Sequence, residues 1–172
     1  MLAEFVFLVA SFHVSSQTAP TPDSNVKAVF LYNFTQFVKW SSEAEDEQKP
    51  FIIGILGEDP FGTFIDETVV GAKVKSRAVV VQRYSSTKDI TGCSILYISI
   101  SEAEKVKEIL TALPQKNLLT VSDIPDFARA GGMIRFIKLD GKIKLQINNS
   151  VAKAADIHIS SKLLRLANIV GR

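Results

Sequence analysis

The cysteine and histidine side chains of this sequence are the first candidates for metal binding or nucleophilic catalysis. They are Cys93, the only cysteine, and the two histidines, His13 and His158. A zinc site needs three or four donors, and neither histidine has another donor at ligand spacing. Cys93 and His158 could form a nucleophile–base pair, although a lone cysteine beside a strand is more often a packing residue. We therefore expect no metal, no cofactor and no catalytic residue.

A second candidate for chemistry is the glycine spacing of Gly54, Gly57 and Gly62. The pattern G-x-x-G-x-x-x-x-G is neither the dinucleotide fingerprint nor a phosphate loop ending in Gly-Lys-Ser/Thr. Close packing at Gly54 and a chain turn at Gly57 explain the spacing better than phosphate binding does. A G-x-S-x-G nucleophile elbow is also absent from the sequence.

Two aspartates could act as an acid pair. Asp59 stands before Pro60, and Asp123 stands two residues before Pro125. Aspartate just before a proline is typical of a helix start, where the carboxylate accepts hydrogen bonds from exposed amides and proline fits the first helical position. Capping is thus the alternative to acid chemistry for both residues.

Polar residues follow three apolar runs, Phe51–Leu56, Ser94–Ile98 and Leu118–Val121. If these runs are parallel strands, their carboxyl ends meet at one edge of the sheet, where open α/β folds bind ligands and partners. Phe61 and Phe127 would be exposed anchors there, or core residues; the polar residues would bind a partner or a small anion, or only cap helices. The candidate rim comprises Glu58, Asp59, Phe61, Ser99, Ser101, Ser122, Asp123, Phe127, Gly131 and Gly132.

Helical and strand patterns alternate along the chain and would position this rim. We predict helices at Asn25–Trp40, Pro60–Val69, Ser101–Leu113, Ser150–Ala155 and Ser161–Ile169, strands at Phe51–Leu56, Arg77–Tyr84, Ser94–Ser99 and Leu118–Val121, and one or two helical turns at Pro125–Ala130.

A hairpin closes the pattern. Asp140-Gly141 is a favoured two-residue turn because both positions tolerate positive φ. The turn joins Met133–Leu139 to Lys142–Ile147 and sets Ile134 opposite Ile147, and Phe136 opposite Leu145. We predict an α/β fold: a three-layer sandwich whose mixed, partly parallel sheet is flanked by helices and closed by this C-terminal hairpin.

Composition and charge limit the function classes. The chain has 172 residues, of which 47% are hydrophobic and 22% charged, with a net charge of +2. These values are typical of a globular protein, and the charge is too small and too dispersed to indicate nucleic-acid binding. A single cysteine excludes a disulfide within the chain.

The N-terminus resembles an export signal. Leu2–Val14 is almost entirely apolar, and small polar residues and a Pro-rich stretch follow. We assign residues 1–17 to a signal-like segment, residues 18–24 to a spacer and residues 25–172 to one α/β domain. No Lys or Arg precedes the apolar run, and a buried N-terminal helix or strand is the alternative. The run is too short to span a bilayer, so the exported protein would not span the membrane.

Five segments together resemble the YfiR-type family of periplasmic repressors. They are KAVFLYNFTQFVKW (Lys27–Trp40), GILGEDPFG (Gly54–Gly62), CSILYIS (Cys93–Ser99), LTVSDIPDFARAGGMIRF (Leu119–Phe136) and IKLQINNSVAKAADIHISSKLLRLA (Ile143–Ala167).

This resemblance implies a non-catalytic periplasmic regulator. Such proteins restrain an inner-membrane diguanylate cyclase by binding its periplasmic sensor region, and release raises cyclic di-GMP and favours biofilm formation. Redox-responsive members carry paired cysteines, whereas here Cys93 stands alone. The alternative function is a periplasmic small-ligand receptor that serves a sensor histidine kinase. A small ligand and a homodimer stay open, as does an atypical hydrolase or transferase.

Overall fold

A computed structural model of the chain describes residues 21–41 and 48–171, and the predictions for residues 1–20, His13 included, lie outside that part. Its helices are α1 (Pro22–Phe37), α2 (Thr63–Val69), α3 (Val106–Ala112), α4 (Asn149–Ala154) and α5 (Ser161–Leu164). Its strands are β1 (Val38–Lys39), β2 (Phe51–Leu56), β3 (Lys73–Val74), β4 (Arg77–Tyr84), β5 (Cys93–Ile98), β6 (Leu119–Ser122), β7 (Ile134–Leu139), β8 (Lys142–Asn148), β9 (His158–Ile159) and β10 (Ala167–Val170).

Eight of these strands form one mixed sheet in the order β10-β8-β7-β6-β5-β2-β4-β3. The central strands β4, β2, β5, β6 and β7 are parallel, and β7 pairs antiparallel with β8. The predicted α/β class with a mixed, partly parallel sheet is confirmed. The hairpin register is confirmed as well, with Ile134 opposite Ile147 and Phe136 opposite Leu145. Every residue of β2 is buried, as expected of a strand covered on both faces.

Helices pack on both faces of this sheet and produce three layers. One core cluster joins α1 and α2 to the sheet through residues such as Leu31, Phe34 and Ile65. A second cluster joins α3 to the other face through residues such as Ile109 and Leu96. Side chains on a strand alternate between its faces, so Tyr97 belongs to the first cluster and Ile98 to the second.

The first helix begins earlier and ends earlier than predicted. Thr21 and Ser24 form a reciprocal capping box, and Pro22 occupies the first helical position. Asn25, the predicted start, therefore lies one turn inside the helix. The helix ends at Phe37 because Val38 and Lys39 pair with β9.

The prediction that Pro60 begins a helix is wrong, since α2 begins only at Thr63. The Asp59 carboxylate accepts a hydrogen bond from the Phe61 amide at 2.7 Å, which makes a tight turn instead. The predicted helix Ser101–Leu113 likewise begins later than expected, at Val106. A 3-10 helix spans Ile100–Lys105 before α3, and the Ser101 hydroxyl within it accepts a hydrogen bond from the Glu58 amide.

Two further segments differ from prediction. Pro125–Ala130 is a series of turns with no helix. The predicted helix Ser161–Ile169 ends at Leu164, and Ala167–Val170 instead pairs parallel with β8. Without β10, the outer backbone groups of β8 would lack partners in the sheet.

Candidate functional site

The carboxyl ends of β2, β5 and β6 meet at one edge of the sheet, as predicted. This carboxyl edge is formed by Leu56, Ile98 and Ser122, which lie in register on neighbouring parallel strands. The segments that follow these strands carry the predicted polar residues. Only those side chains that lack internal partners are available to another molecule.

Asp123 lies at the centre of the edge and is held by two internal partners. Its Oδ2 forms an ion pair with Lys27 Nζ at 2.6 Å, and its Oδ1 accepts a hydrogen bond from the Tyr97 hydroxyl at 3.0 Å. Burial raises the pKa of Tyr97 well above its ordinary value, and the negative charge of Asp123 adds to the shift. Asp123 therefore ties α1, β5 and the segment after β6 together.

Asp59 is held in the same way on the other side of β2. Its Oδ1 accepts from the Phe61 amide, and its Oδ2 pairs with Arg83 Nε at 2.9 Å. Arg83 also donates both terminal amino groups to the Asp66 carboxylate, at 3.0 and 2.6 Å. The hydrogen bonds that Arg83 donates to Asp66 and Asp59 raise the pKa of its guanidinium above the ordinary value, against burial, which lowers it.

The serines of the rim serve backbone groups. Ser122 is fully buried, donates to the Ile98 carbonyl at 2.7 Å and accepts from the Ile124 amide at 3.0 Å. The backbone amide of Ser99, also buried, donates to the Leu56 carbonyl at 2.9 Å. Ser101 is exposed, and its hydroxyl accepts from the Glu58 amide at 3.1 Å. Glu58 is the exposed carboxylate of the rim.

Phe61 and Phe127 are core residues, with side chains that are 0% exposed. Phe61 packs edge-on against Tyr97, with 4.8 Å between ring centroids. Phe127 belongs to the cluster beneath α3. Of the two alternatives left open by the sequence, packing is the one observed for both.

The two glycines do not join the rim. Ile134 pairs with Val121, so Gly131 and Gly132, which precede it, lie back toward the amino end of β6. Gly132 lies against the Phe127 ring, and a Cβ there would approach Cε1 of Phe127 to 2.2 Å. Gly131 has φ +109. Both glycines serve the segment that returns the chain to the start of β7.

Four residues that hold the carboxyl edge were missed by sequence reasoning: Lys27, Asp66, Arg83 and Tyr97. Lys27 had a visible signal, because it and Asp23 are the only charged residues of α1. Tyr97 had another, as the only polar-tipped side chain inside the run from Ile95 to Ile98. Arg83 and Asp66 had none that we recognise.

A cleft of about 280 Å³ lies at the opposite, amino edge of the sheet. Its aromatic wall comprises Phe51, which begins β2, and Trp40, whose indole donates to the Ser94 carbonyl at 3.1 Å. The Arg77 guanidinium lies over the Phe51 ring, 5.4 Å from its centroid, and donates to the Pro50 carbonyl at 2.7 Å. We call this cavity the amino-edge cleft.

Cys93 lines the amino-edge cleft and is bonded to backbone. Its thiol lies 3.0 Å from the Ile95 carbonyl. Burial raises its pKa from 9.0 to about 12, against the backbone hydrogen bonds that lower it. His158, by contrast, is exposed on β9 opposite Lys39. A thiol with this pKa is protonated at neutral pH and is a poor nucleophile.

Within residues 21–41 and 48–171, no group of three or more His, Cys, Asp or Glu side chains is arranged to hold a metal ion. The helices in this same part are too short or too polar to cross a bilayer.

Comparisons with known proteins give one family and one fold. The family model for YfiR/HmsC-like proteins matches residues 24–168. No curated protein matches the chain. In fold, the chain is similar to the solved structure of an ABC domain from Streptococcus pneumoniae in complex with L-Trp, with a TM-score of 0.54 and 15% identity over 86% of this chain. The chain spans 60% of that streptococcal chain.

Proposed function

This chain belongs to the YfiR/HmsC-like family, a family of regulators of diguanylate cyclase signalling, and we propose that it is a periplasmic, non-catalytic repressor of an inner-membrane diguanylate cyclase. It would act by binding the periplasmic sensor region of that enzyme. The observation that carries this proposal is the family match over residues 24–168.

The side chains that could act as acid, base or nucleophile support a binding role over a catalytic one. At the carboxyl edge, Asp59 and Asp123 are both engaged in internal ion pairs. At the amino edge, burial raises the pKa of the Cys93 thiol to about 12, so the thiol is protonated at neutral pH. A general base or nucleophile needs an available group next to its substrate, and these three groups are engaged within the fold.

We assign the partner surface to the exposed part of the rim. Glu58 and Ser101 lie on its surface, and the Glu58 amide donates to the Ser101 hydroxyl. Asp59 and Asp123 would not contact the partner, but would stabilise the turns that carry Glu58 and Ser101. Repression requires tighter binding to the inactive cyclase than to the active one, and a coupling of about 1–3 kcal/mol is typical.

A binding measurement with a charge-reversal variant tests this proposal. The purified periplasmic region of each inner-membrane diguanylate cyclase of the same organism is immobilised in turn, and binding of the chain is followed by interferometry. We expect micromolar or tighter affinity, and about tenfold weaker binding for Glu58→Lys. Glu67→Lys, a charge reversal at another exposed glutamate, on α2, is the matched control and should bind as the wild type does. Absence of association would contradict the proposed function, and equal loss in both variants would contradict the assigned surface.

The alternative, a small-ligand receptor for a sensor histidine kinase, is favoured by one observation. The amino-edge cleft has a volume of about 280 Å³ and an aromatic wall, which suits a small organic ligand. A ligand screen by thermal shift would support this function if a compound stabilises the wild type but not Trp40→Ala. A neighbouring gene for a histidine kinase would favour it further, and one for a GGDEF-domain membrane protein would favour the repressor.

A further inference from the structure

The described residues that line the amino-edge cleft include cations and no carboxylate. The cationic ones are Lys75, Arg77 and Lys116. Lys116 is engaged with Asp156, whose Oδ2 lies 2.7 Å from its Nζ. Arg77 forms no ion pair with any carboxylate in residues 21–41 and 48–171, and donates instead to two backbone carbonyls through Nε and Nη2, at 2.9 and 2.7 Å. Because carbonyls are neutral, the guanidinium charge of Arg77 is not balanced there.

Phe51 holds the guanidinium and the indole of the cleft side by side. The Phe51 side chain is only 2% exposed and lies beneath both groups. Trp40 packs edge-on against it, with 5.0 Å between ring centroids and 84° between ring planes, and Arg77 lies over its ring. A cation and an aromatic ring are thus fixed before a ligand arrives, which lowers the cost of ordering them on binding.

The other residues that line the cleft offer apolar surface and one further donor. Val74, Ile90, Pro114 and Leu118 contribute the apolar surface. The Asn117 Oδ1 accepts from the Ser41 hydroxyl at 2.9 Å, and its Nδ2 donates to no described residue, which leaves an amide donor in the lining. The indole N–H of Trp40 is already bonded to a carbonyl, so this side chain offers a ligand its ring and no hydrogen bond. A volume of about 280 Å³ suits a molecule of one or two rings.

We propose that the amino-edge cleft binds an aryl carboxylate, a small aromatic acid with one negative charge and no amino group. Its ring stacks on Trp40, and its carboxylate accepts hydrogen bonds from Arg77 Nη1 and the Asn117 amide. An ammonium group is disfavoured, because the cations of the lining repel it and no acidic residue of the lining can pair with it. This inference rests on the alternative function proposed above, in which this cleft is a receptor site, and it does not depend on the repressor function.

Fluorescence of Trp40, the only tryptophan of the chain, tests the proposal because it reports directly on the cleft. The full chain is titrated with phenylacetate, with benzylamine, which has the same ring and a positive charge at neutral pH, and with acetate, which has the charge and no ring. We expect phenylacetate to bind with a dissociation constant of about 1 mM or lower, and both control compounds to bind at least about tenfold more weakly. Absence of phenylacetate binding, or equal binding of either control compound, would overturn the proposal.

A pair of arginine variants tests the role of the guanidinium. Arg77→Gln should weaken phenylacetate binding at least about tenfold. Arg165→Gln removes an exposed arginine at the end of α5, outside the cleft lining, and should bind as the wild type does. Equal affinity in the two variants would overturn the proposal. Circular dichroism checks the fold, and the comparison of phenylacetate with benzylamine on the wild type needs no variant.

Failure of this inference is distinguishable from failure of the proposed functions. A compound from the thermal-shift screen that binds at Trp40 while phenylacetate does not would keep the receptor function and overturn only the aryl carboxylate class. Binding to the periplasmic region of a cyclase is measured separately and involves the opposite edge of the sheet.

Discussion

The two edges of the parallel sheet differ in what their polar groups do. At the carboxyl edge, Asp59 forms an ion pair with Arg83 of β4 and Asp123 forms one with Lys27 of α1, and Phe61 packs edge-on against Tyr97. At the amino edge, the chain leaves a cleft of about 280 Å³ walled by Trp40 and Phe51. The cleft with an aromatic wall therefore lies opposite the edge at which open α/β folds usually bind a ligand. A cleft of about 320 Å³ beside Leu56 at the carboxyl edge is lined mostly by polar residues.

This difference shows that a polar side chain at the end of a strand is not necessarily available to bind another molecule. Turns and helix starts leave backbone amides unpaired, and nearby aspartates and serines satisfy them. Ser122 and Asp59 are used in that way here. The proposed partner surface at the carboxyl edge therefore consists of the few side chains that stay exposed, whereas the amino edge presents an open cleft.

The largest expected effect concerns the segment that returns the chain from the carboxyl edge to the start of β7. Gly132→Val should lower the free energy of unfolding by at least about 3 kcal/mol, because its Cβ would overlap the buried Phe127 ring. Gly131→Ala, which meets open space but keeps a positive φ, should cost only about 1 kcal/mol. Urea denaturation measures both, and equal losses would show that backbone conformation alone sets the cost.

A smaller effect is expected from neutralising the central carboxylate of the carboxyl edge. Asp123→Asn should cost about 2 kcal/mol, since it leaves the largely buried Lys27 ammonium without a counter-charge. Asp126→Asn is the matched control, because its carboxylate and Arg129 are exposed and 3.9 Å apart. The control should change the free energy by less than about 0.5 kcal/mol. Similar losses in the two variants would argue that the carboxyl edge is not held by this pair.

The smallest effect is a loss of stability that appears only at alkaline pH. It begins at a different pH for the buried group at each edge. Burial raises the pKa of the Cys93 thiol at the amino edge from 9.0 to about 12. The stabilisation that the buried thiol contributes is therefore complete below pH 9 and is lost as pH rises from 9 to 12. Tyr97 at the carboxyl edge has an ordinary pKa of 10.0 that burial raises, so its loss begins near pH 10.

Each group lowers the free energy of unfolding by up to about 1.4 kcal/mol per pH unit in its range. Denaturant titrations at pH 8, 9.5 and 10.5 measure this. Cys93→Ser should remove the decline between pH 9 and 10 and lessen the decline above pH 10, whereas Tyr97→Phe should lessen only the decline above pH 10. A wild-type stability that is constant to pH 10.5 would contradict burial of both groups.

Much of the framework was predictable from local pattern. The buried run of β2 and the hairpin at Asp140-Gly141 follow from hydrophobic periodicity and turn chemistry, which act between near neighbours. The helix predictions were wrong where a tertiary contact overrode the local sequence pattern. Asp59-Pro60 reads as a helix start, yet Asp59 is drawn into a turn and an ion pair with Arg83. Ala167–Val170 continues a helical pattern in the sequence, yet this segment pairs in parallel with the edge of β8 and forms a strand.

By itself, the sequence determined the α/β class, the meeting of three strand ends at one edge and the register of the hairpin. Only the tertiary structure decided which side chains at that edge remain exposed. Lys27 and Asp123 are 96 positions apart in sequence, and no local pattern predicts that they pair. The physical reason is that charge pairing and burial depend on distances set by packing of the whole sheet and its helices, whereas periodicity and turn preference depend only on neighbouring residues.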